Sequence, residues 1–430
     1  MPALPDRPFW HISTAGIFFQ GGAAAIDTST IIAALVHGLT GGSAFAVGTA
    51  AAISRFGWLF PQLFVAFYAQ QRTSRLPFYM AGAFGRVACL VALAALVWGS
   101  APSAGPTVAL FFAIWTVYAF VSGIVAVPYN DIVARSIPSH QRSRMLALRF
   151  FGGGLLALVV AALAQRLLAA LPFADAYAAV LLSGAALLFV SALSFVTATE
   201  PPAASETRIA NNFADFLRRG VHVLRNDRHF RLFIGAQWLG GASALALPFY
   251  VLLGNFSAGD VAILLGAQTA GALLSNPLWG WWGDQLGKRS LLEGSAAVGA
   301  IAPALALIWI ASAERWGDVA LPYFALVFAL LGAAGNGSTI AQLGYLMEIS
   351  PDDRRPAYSG YFNAVVAPVT LLPMAGGAVA QAVDSFAAVF AIGGVAAVLQ
   401  FLTVWRLRSA LSNETTNADT ASPQTPQLRR

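Results

Sequence analysis

The sequence predicts an all-α integral membrane protein with twelve transmembrane helices in two pseudo-symmetric six-helix bundles. Three observations lead there: an apolar composition, a succession of hydrophobic runs of bilayer-spanning length, and an internal echo between the two halves of the chain. Of 430 residues, 58% are hydrophobic and 10% charged, and the mean hydropathy is +0.68. Ordinary globular domains are about 45–50% apolar and about 25% charged, so a soluble enzyme could not cover this much apolar surface. The same figures exclude disordered and collagen-like chains. The single cysteine, Cys89, rules out an internal disulfide framework and a cysteine metal cluster.

A spanning helix needs about 17–25 mostly apolar residues. The first run, 13–37, follows a start (Met1 to Trp10) that carries Asp6, Arg7 and three prolines, with neither the basic start nor the small-residue cleavage site of a signal peptide flanking the apolar run. The second, 44–68, begins after Gly41-Gly42, and the third, 77–99, after the Arg72 to Arg75 segment. Gly99-Ser100-Ala101-Pro102 separates it from the fourth, 107–130. A basic segment from Arg135 to Arg149 leads into the fifth, 146–170, and Pro172 precedes the sixth, 176–198. After a long connection come 232–253, 260–282, 290–312, 320–346, 357–382 and 384–406, with Ser350-Pro351-Asp352-Asp353-Arg354-Arg355 the clearest hinge among them. A β-barrel would show alternating segments of about ten residues. These runs are continuous and longer.

Positive charge sets the orientation. Nearly all of the 25 basic residues fall on the side holding both termini; only Arg166 and Arg315 lie opposite, while Arg55 and Arg86 fall inside spans. Both termini are therefore expected in the cytoplasm of a multi-pass inner-membrane protein. The net charge of +6 marks topology, not a nucleic-acid footprint. The expected organisation is a cytoplasmic N-terminus (1–12), a six-helix bundle (13–198), a cytoplasmic linker (199–231), a second bundle (232–408) and a disordered tail (409–430). Within the linker, Phe213, Phe216, Leu217, Val221 and Leu224 fall at helical spacing opposite Arg218, Arg219, His222 and Arg225. Asn212 is placed to cap that helix, with Asp215 three residues on. It reads as a helix in the lipid headgroup layer, or as a soluble linker helix.

The halves echo at an offset near 214: Gln70 to Arg75 against Asp284 to Arg289, and Pro138 to Arg142 against Pro351 to Arg355. The loop after the eighth span reads Gly280-Trp281-Trp282-Gly283-Asp284-Gln285-Leu286-Gly287-Lys288-Arg289. It resembles the cytoplasmic loop signature of the major facilitator superfamily, with Asp284, Gly287, Lys288 and Arg289 matching and Gln285 departing. In the first half Gln70 and Thr73 stand where the aspartate and glycine would be. The resemblance implies two helix bundles rocking about a central site, with helices one, four, seven and ten on the cavity wall. That favours Gln20, Asp27, Tyr118, Gln237, Trp238 and Asn336 as wall residues. Independently, Gly287 suits a tight turn, and Asp284, Lys288 and Arg289 suit a cytoplasmic gate or a simple topology marker.

Ionisable groups at mid-depth cost about 2.5–3.5 kcal/mol on insertion scales and point to function. Asp27, Arg55 and Arg86 qualify; Glu293 is read as a partner for Arg289. Asp27 is the proton-site candidate, with Arg55 competing for it, and Gln20 is expected on the same helix face seven residues earlier. The alternative is a static Asp27–Arg55 pair fixing helix packing. The five histidines show no metal spacing, and there is no nucleophile elbow or Walker loop. The sequence is therefore read as a non-enzymatic monomer without cofactor: a secondary transporter of a small solute, coupled to protons. Its rivals are an uncoupled uniporter and a non-transporting membrane receptor or assembly factor. Span five lacks the Gly-Pro element of family drug exporters, reading Phe150-Phe151-Gly152-Gly153-Gly154.

Overall fold

The computed structural model describes residues 7–69, 72, 74–99, 105–198, 200–201, 212–316, 319–350 and 355–421. Gln70, Thr73 and Pro351 to Arg354 of the repeat echo, and the tail from 422, lie outside the described residues. The chain runs through α1 (Arg7–Ala24), α2 (Ile31–Leu39), α3 (Ala44–Ala69), α4 (Leu76–Trp98), α5 (Gly105–Ser136), α6 (Ser139–Ala170) and α7 (Phe173–Val196). It continues through α8 (Phe213–Asn226), α9 (Arg228–Ser243), α10 (Ala258–Gln285), α11 (Gly287–Trp316) and α12 (Ala320–Ile349). Last come α13 (Arg355–Val366), α14 (Leu372–Val383) and α15 (Ala387–Ala421). No strand occurs among the described residues. Ten of the helical segments there are long and apolar enough to cross a membrane. Their outer surface is apolar too, with Val159 and Val395 62% and 61% exposed, which suits lipid and not water.

Three stretches predicted as continuous are broken. The first is interrupted between α1 and α2, where Asp27-Thr28-Ser29-Thr30 offers the backbone side-chain acceptors and donors instead of helix bonds. The seventh tightens after Ser243 into a 3-10 segment (Ala244–Leu252) containing Pro248. The eleventh is split by a 3-10 turn (Ala367–Leu371) that contains Pro368 and is followed by Pro373 at the start of α14, where missing N–H donors prevent an unbroken ladder. At the far end α15 runs on to Ala421, past position 409, where sequence composition had suggested that order ends.

Helix pairing repeats along the chain. In the first part α1 packs on α6 and α7, α3 on α5, and α4 on α5 and α7; in the second, α9 packs on α15, α10 on α12, and α11 on α12 and α15. Two seams join the parts, α6 against α10 and α3 against α14. Small residues permit the second: a Cβ on Gly48 would sit 2.1 Å from the Pro373 carbonyl oxygen, and one on Gly377 2.4 Å from that of Ala44.

The buried core is not evenly distributed. At the end away from the arginine-rich loops, one cluster spans both parts, joining Ile31, Val47 and Trp115 to Leu245, Phe249, Leu264 and Phe324. At the basic end it divides. Phe9, Tyr79, Ile132 and Phe195 form one cluster and Phe230, Trp279, Tyr345 and Phe362 another. Helix α8 crosses this divided end. Asn212 caps it, accepting from the Asp215 N–H at 2.7 Å, as the spacing predicted. Its apolar side does not simply face headgroups, however. Phe213 lies between the rings of Phe64 and Phe67 of α3, at 5.3 and 5.6 Å. Val223 and Leu224 pack on the second basic-end cluster. Gly220 lets Tyr361 of α13 come close, leaving Val221 outward.

Candidate functional site

Between the two parts, on the basic-loop side of the shared core, lies a cavity of about 420 Å³, within the size range of small-molecule sites. The three broken helices line it: Asp27, Thr28 and Ser29 at the first break, Ser243, Ala244 and Pro248 at the second, Val369, Thr370 and Pro373 at the third. Irregular backbone at membrane depth is tolerated where it faces such a space. The remaining polar lining includes Arg55, Gln237, Gln268, Gln342, Asn363 and Gln400.

Asp27 is fixed by its own turn. Its Oδ1 accepts from the Ser29 N–H at 2.9 Å, the Ser29 hydroxyl at 2.6 Å and the Thr30 hydroxyl at 2.9 Å. The Ser29 hydroxyl also lies 3.1 Å from Gln268 Oε1, linking the break to α10. A second polar link joins the parts where the Asn363 side-chain amide donates to Gln62 Oε1 at 3.3 Å. Arg55 shares the cavity with Asp27 but forms no ion pair within 4 Å among the described residues, and its side chain is exposed to the space. The static pair weighed from sequence is therefore not formed here. Gln237 is 7% exposed, and its Nε2 has no acceptor.

Other candidate residues, four predicted for the wall and the mid-span Arg86, lie outside the cavity lining. The helix ends at Ala24, so the seven-residue spacing no longer aligns Gln20 with Asp27; Gln20 packs against Gly153 at the α1–α6 contact. Asn336 ties α12 to α10, donating to Asn276 Oδ1 at 2.7 Å and the Ala272 carbonyl at 3.1 Å. Arg86 is 2% exposed, with its guanidinium 5.0 Å from the centre of the Phe19 ring and outside the cavity lining. Tyr118 is buried, stacked on Trp115 at 4.9 Å. Trp238 donates its indole N–H to the Val365 carbonyl at 3.0 Å.

The proposed gate residues meet at the α10–α11 turn. Gly287 has φ +83°, a left-handed conformation that favours glycine. Lys288 Nζ lies 3.1 Å from Asp284 Oδ1, and Arg289 Nε lies 3.4 Å from Glu293 Oε1, within ion-pair reach but outside hydrogen-bond geometry. Lys288 also lies across Gly344 of α12.

The first part holds a denser ionic cluster that the motif search missed. Asp131 of α5 pairs with Arg75, before α4, and with Arg135, one turn on, whose Nε donates at 2.9 Å. Arg135 also reaches Glu200 at 2.8 Å and the Pro201 carbonyl. Glu200 accepts from the N–H groups of Arg75 and Leu76, at 2.9 and 3.2 Å, and from the Ser74 hydroxyl at 2.7 Å. It thus covers the positive N-terminus of α4. Burial acts to raise the Glu200 carboxyl, but these donors outweigh it and hold the group below the ordinary carboxylate range. The i,i+4 spacing of Asp131 and Arg135 was the available signal.

Among the described residues no group of three His, Cys, Asp or Glu side chains is placed to hold a metal ion. A family model described as Major Facilitator Superfamily matches residues 233–428. Curated relatives include uncharacterized proteins of Mycobacterium tuberculosis and Mycobacterium bovis, each 25% identical over 283 residues. The matched stretch is 64% of this chain and 53% of theirs, so the chain spans about half the length of the curated relatives it matches. Among solved structures, the nucleoside transporter NupG superposes with a TM-score of 0.70 at 13% identity, over 93% of this chain and 99% of that one. The xylose transporter XylE of E. coli, in a partially occluded inward-open conformation, gives 0.68 at 14%, over 93% and 97%. A D-xylose-proton symporter gives 0.70 at 16%, again over 93% and 97%. The C-terminal part of the chain thus matches the Major Facilitator Superfamily model, and its helical fold is similar along nearly the whole length to these solved transporters.

Proposed function

We propose that the chain is a secondary transporter that moves a small polar solute by alternating access between two six-helix halves, residues 13–198 and 232–408. The observation that carries this is the polar cavity between the two parts, walled by three broken helices and closed at one end by a shared apolar core. Counting α1 with α2 as one interrupted span, and adding α3, takes the ten apolar helices to twelve. Basic loops at the divided end support a cytoplasmic placement of that end and of both termini in an inner membrane. The cavity then faces the cytoplasm, the state in which the core has parted on that side only. We assign the coupling proton to Asp27, the single carboxylate in the lining among the described residues, and a monomer as the working unit.

The experiment is solute uptake by the purified protein in proteoliposomes under an imposed pH gradient. Accumulation abolished by a protonophore supports coupling. Uptake that only equilibrates the solute, with or without the protonophore, refutes it in favour of an uncoupled uniporter, a reading that the three hydrogen bonds already held by Asp27 Oδ1 favour. No solute-dependent flux at all overturns transport.

A further inference from the structure

We propose that the transported solute is a small polar monocarboxylate whose carboxylate seats on the Arg55 guanidinium in the central cavity. This rests on the transport reading and adds a substrate class to it. Arg55 is the one cation among the described residues lining the cavity. Its planar fork carries five N–H donors that match a carboxylate two at a time, and none of them has an ion-pair partner within 4 Å among the described residues. Gln237 of α9 supplies a second unmet donor to the same cavity, its Nε2 buried without an acceptor. Buried donors left unpaired are costly. With the unpaired Arg55 guanidinium exposed to the same cavity, the buried Gln237 donor therefore favours a ligand that brings acceptor oxygens.

Charge limits how many such oxygens are ionised. Asp27 balances Arg55 at a distance, but its Oδ1 is already held by Ser29 and Thr30. A monoanion then leaves the lining with one net negative charge, and a proton on Asp27 removes it. A dianion leaves two with a single carboxyl to neutralise them, which a low-dielectric space disfavours. The remaining wall, with Ser338, Thr339, Gln342, Asn363 and Gln400, offers hydroxyl and amide partners to a polar tail rather than an aliphatic one.

The test is arginine-selective modification of the full-length protein with phenylglyoxal, mapped by mass spectrometry. Sodium gluconate, sodium lactate, glucose and inorganic phosphate serve as protectants, and exposed Arg219 is the internal control. We expect gluconate or lactate to slow modification of Arg55 about ten-fold relative to glucose, leaving Arg219 unchanged. Equal protection by glucose, stronger protection by phosphate, or no protection by either carboxylate overturns the proposal. Arg55→Gln removes the charge without stranding an ion-pair partner, so the variant is expected to fold. Its gluconate flux in vesicles should fall while the thermal transition holds. Glucose flux that persists in Arg55→Gln overturns the carboxylate class but leaves transport standing. Protection of Arg55 by a carboxylate with no flux of any solute supports the site and overturns the transport reading instead.

Discussion

The seam between α3 and α14 gives a sharp handle on the conformational equilibrium. A methyl group on Gly377 would lie 2.4 Å from the Ala44 carbonyl oxygen and 2.8 Å from Phe45 Cα, contacts with backbone that cannot swing aside. Gly377→Ala must therefore part α3 from α14 or strain them. Overpacking of this kind costs about 1–3 kcal/mol. If the alternative conformation separates this seam, the strain falls on one state alone and its ratio to the other state drops by about 5- to 150-fold. Val47 reports the change, being 1% exposed within the shared core. In a Cys89→Ser background, maleimide labelling of Val47→Cys should accelerate by that factor when Gly377→Ala is added. Gly235→Ala on α9 is the control, since nothing lies within 4 Å of its added methyl. Equal labelling rates in the two alanine variants, with both proteins retaining a cooperative thermal transition, would refute the claim that this contact holds one end shut.

Three further outcomes follow from the same geometry. Glu200→Gln removes a carboxylate whose folded-state ionisation lies below the ordinary value. Its stabilisation is present above that value and is lost as pH falls through the folded one, so the gap in melting temperature between wild type and variant should narrow on acidification from about 4.5 downward; a gap independent of pH contradicts the assignment. Asp284→Ala should slow solute exchange in vesicles while insertion and melting change little, because an exposed pair contributes at most about 1 kcal/mol; unchanged exchange would reduce Asp284 to a topology marker. Asp27→Asn keeps an acceptor for Ser29 and Thr30 and should fold normally, yet lose accumulation driven by a pH gradient while retaining exchange; gradient-driven accumulation that survives removes Asp27 as the proton carrier.

What the sequence could reveal followed from interactions that are local along the chain. The Asn212 cap and the Gly287 turn need only neighbours within about one helical turn, and each is where spacing put it; among the described residues ten helices are long and apolar enough to span. The cavity depends on where those local rules give way. Asp27 looked like a mid-helix charge, but the run Asp27-Thr28-Ser29-Thr30 ends α1 and turns the carboxylate into its own turn's acceptor. That break also cancelled the helical phase used to align Gln20. Asn336 and Gln237 are both amides within apolar helices. Only long-range packing decides that one joins α10 to α12 while the other lines the cavity with a donor to spare. The cluster of Arg75, Asp131, Arg135 and Glu200 was hidden because its members come from three distant segments.

The two ends of the molecule are held by different kinds of force, and that difference bears on how it works. At the end away from the basic loops, apolar packing runs continuously from one part to the other, helped by Gly48 and Gly377 at van der Waals range. Such a seam must part over its whole area before its contacts are lost. At the basic end the ionic groups are arranged within each part: Glu200 and Asp131 bind Arg75 and Arg135, while Asp284 and Glu293 meet Lys288 and Arg289. Those pairs brace the helix ends of their own part and place little across the divide. Among the described residues the crossing links there include Phe213 between Phe64 and Phe67, Leu63 against the second basic-end cluster, and the amide pair of Gln62 and Asn363. On the transport reading proposed above, a small solute in the cavity tips the balance at the basic end more readily than it opens the continuous apolar seam. Under the alternating-access mechanism proposed above, closure at the basic end then forms first, with the ligand supplying cavity contacts, and separation of the seam follows.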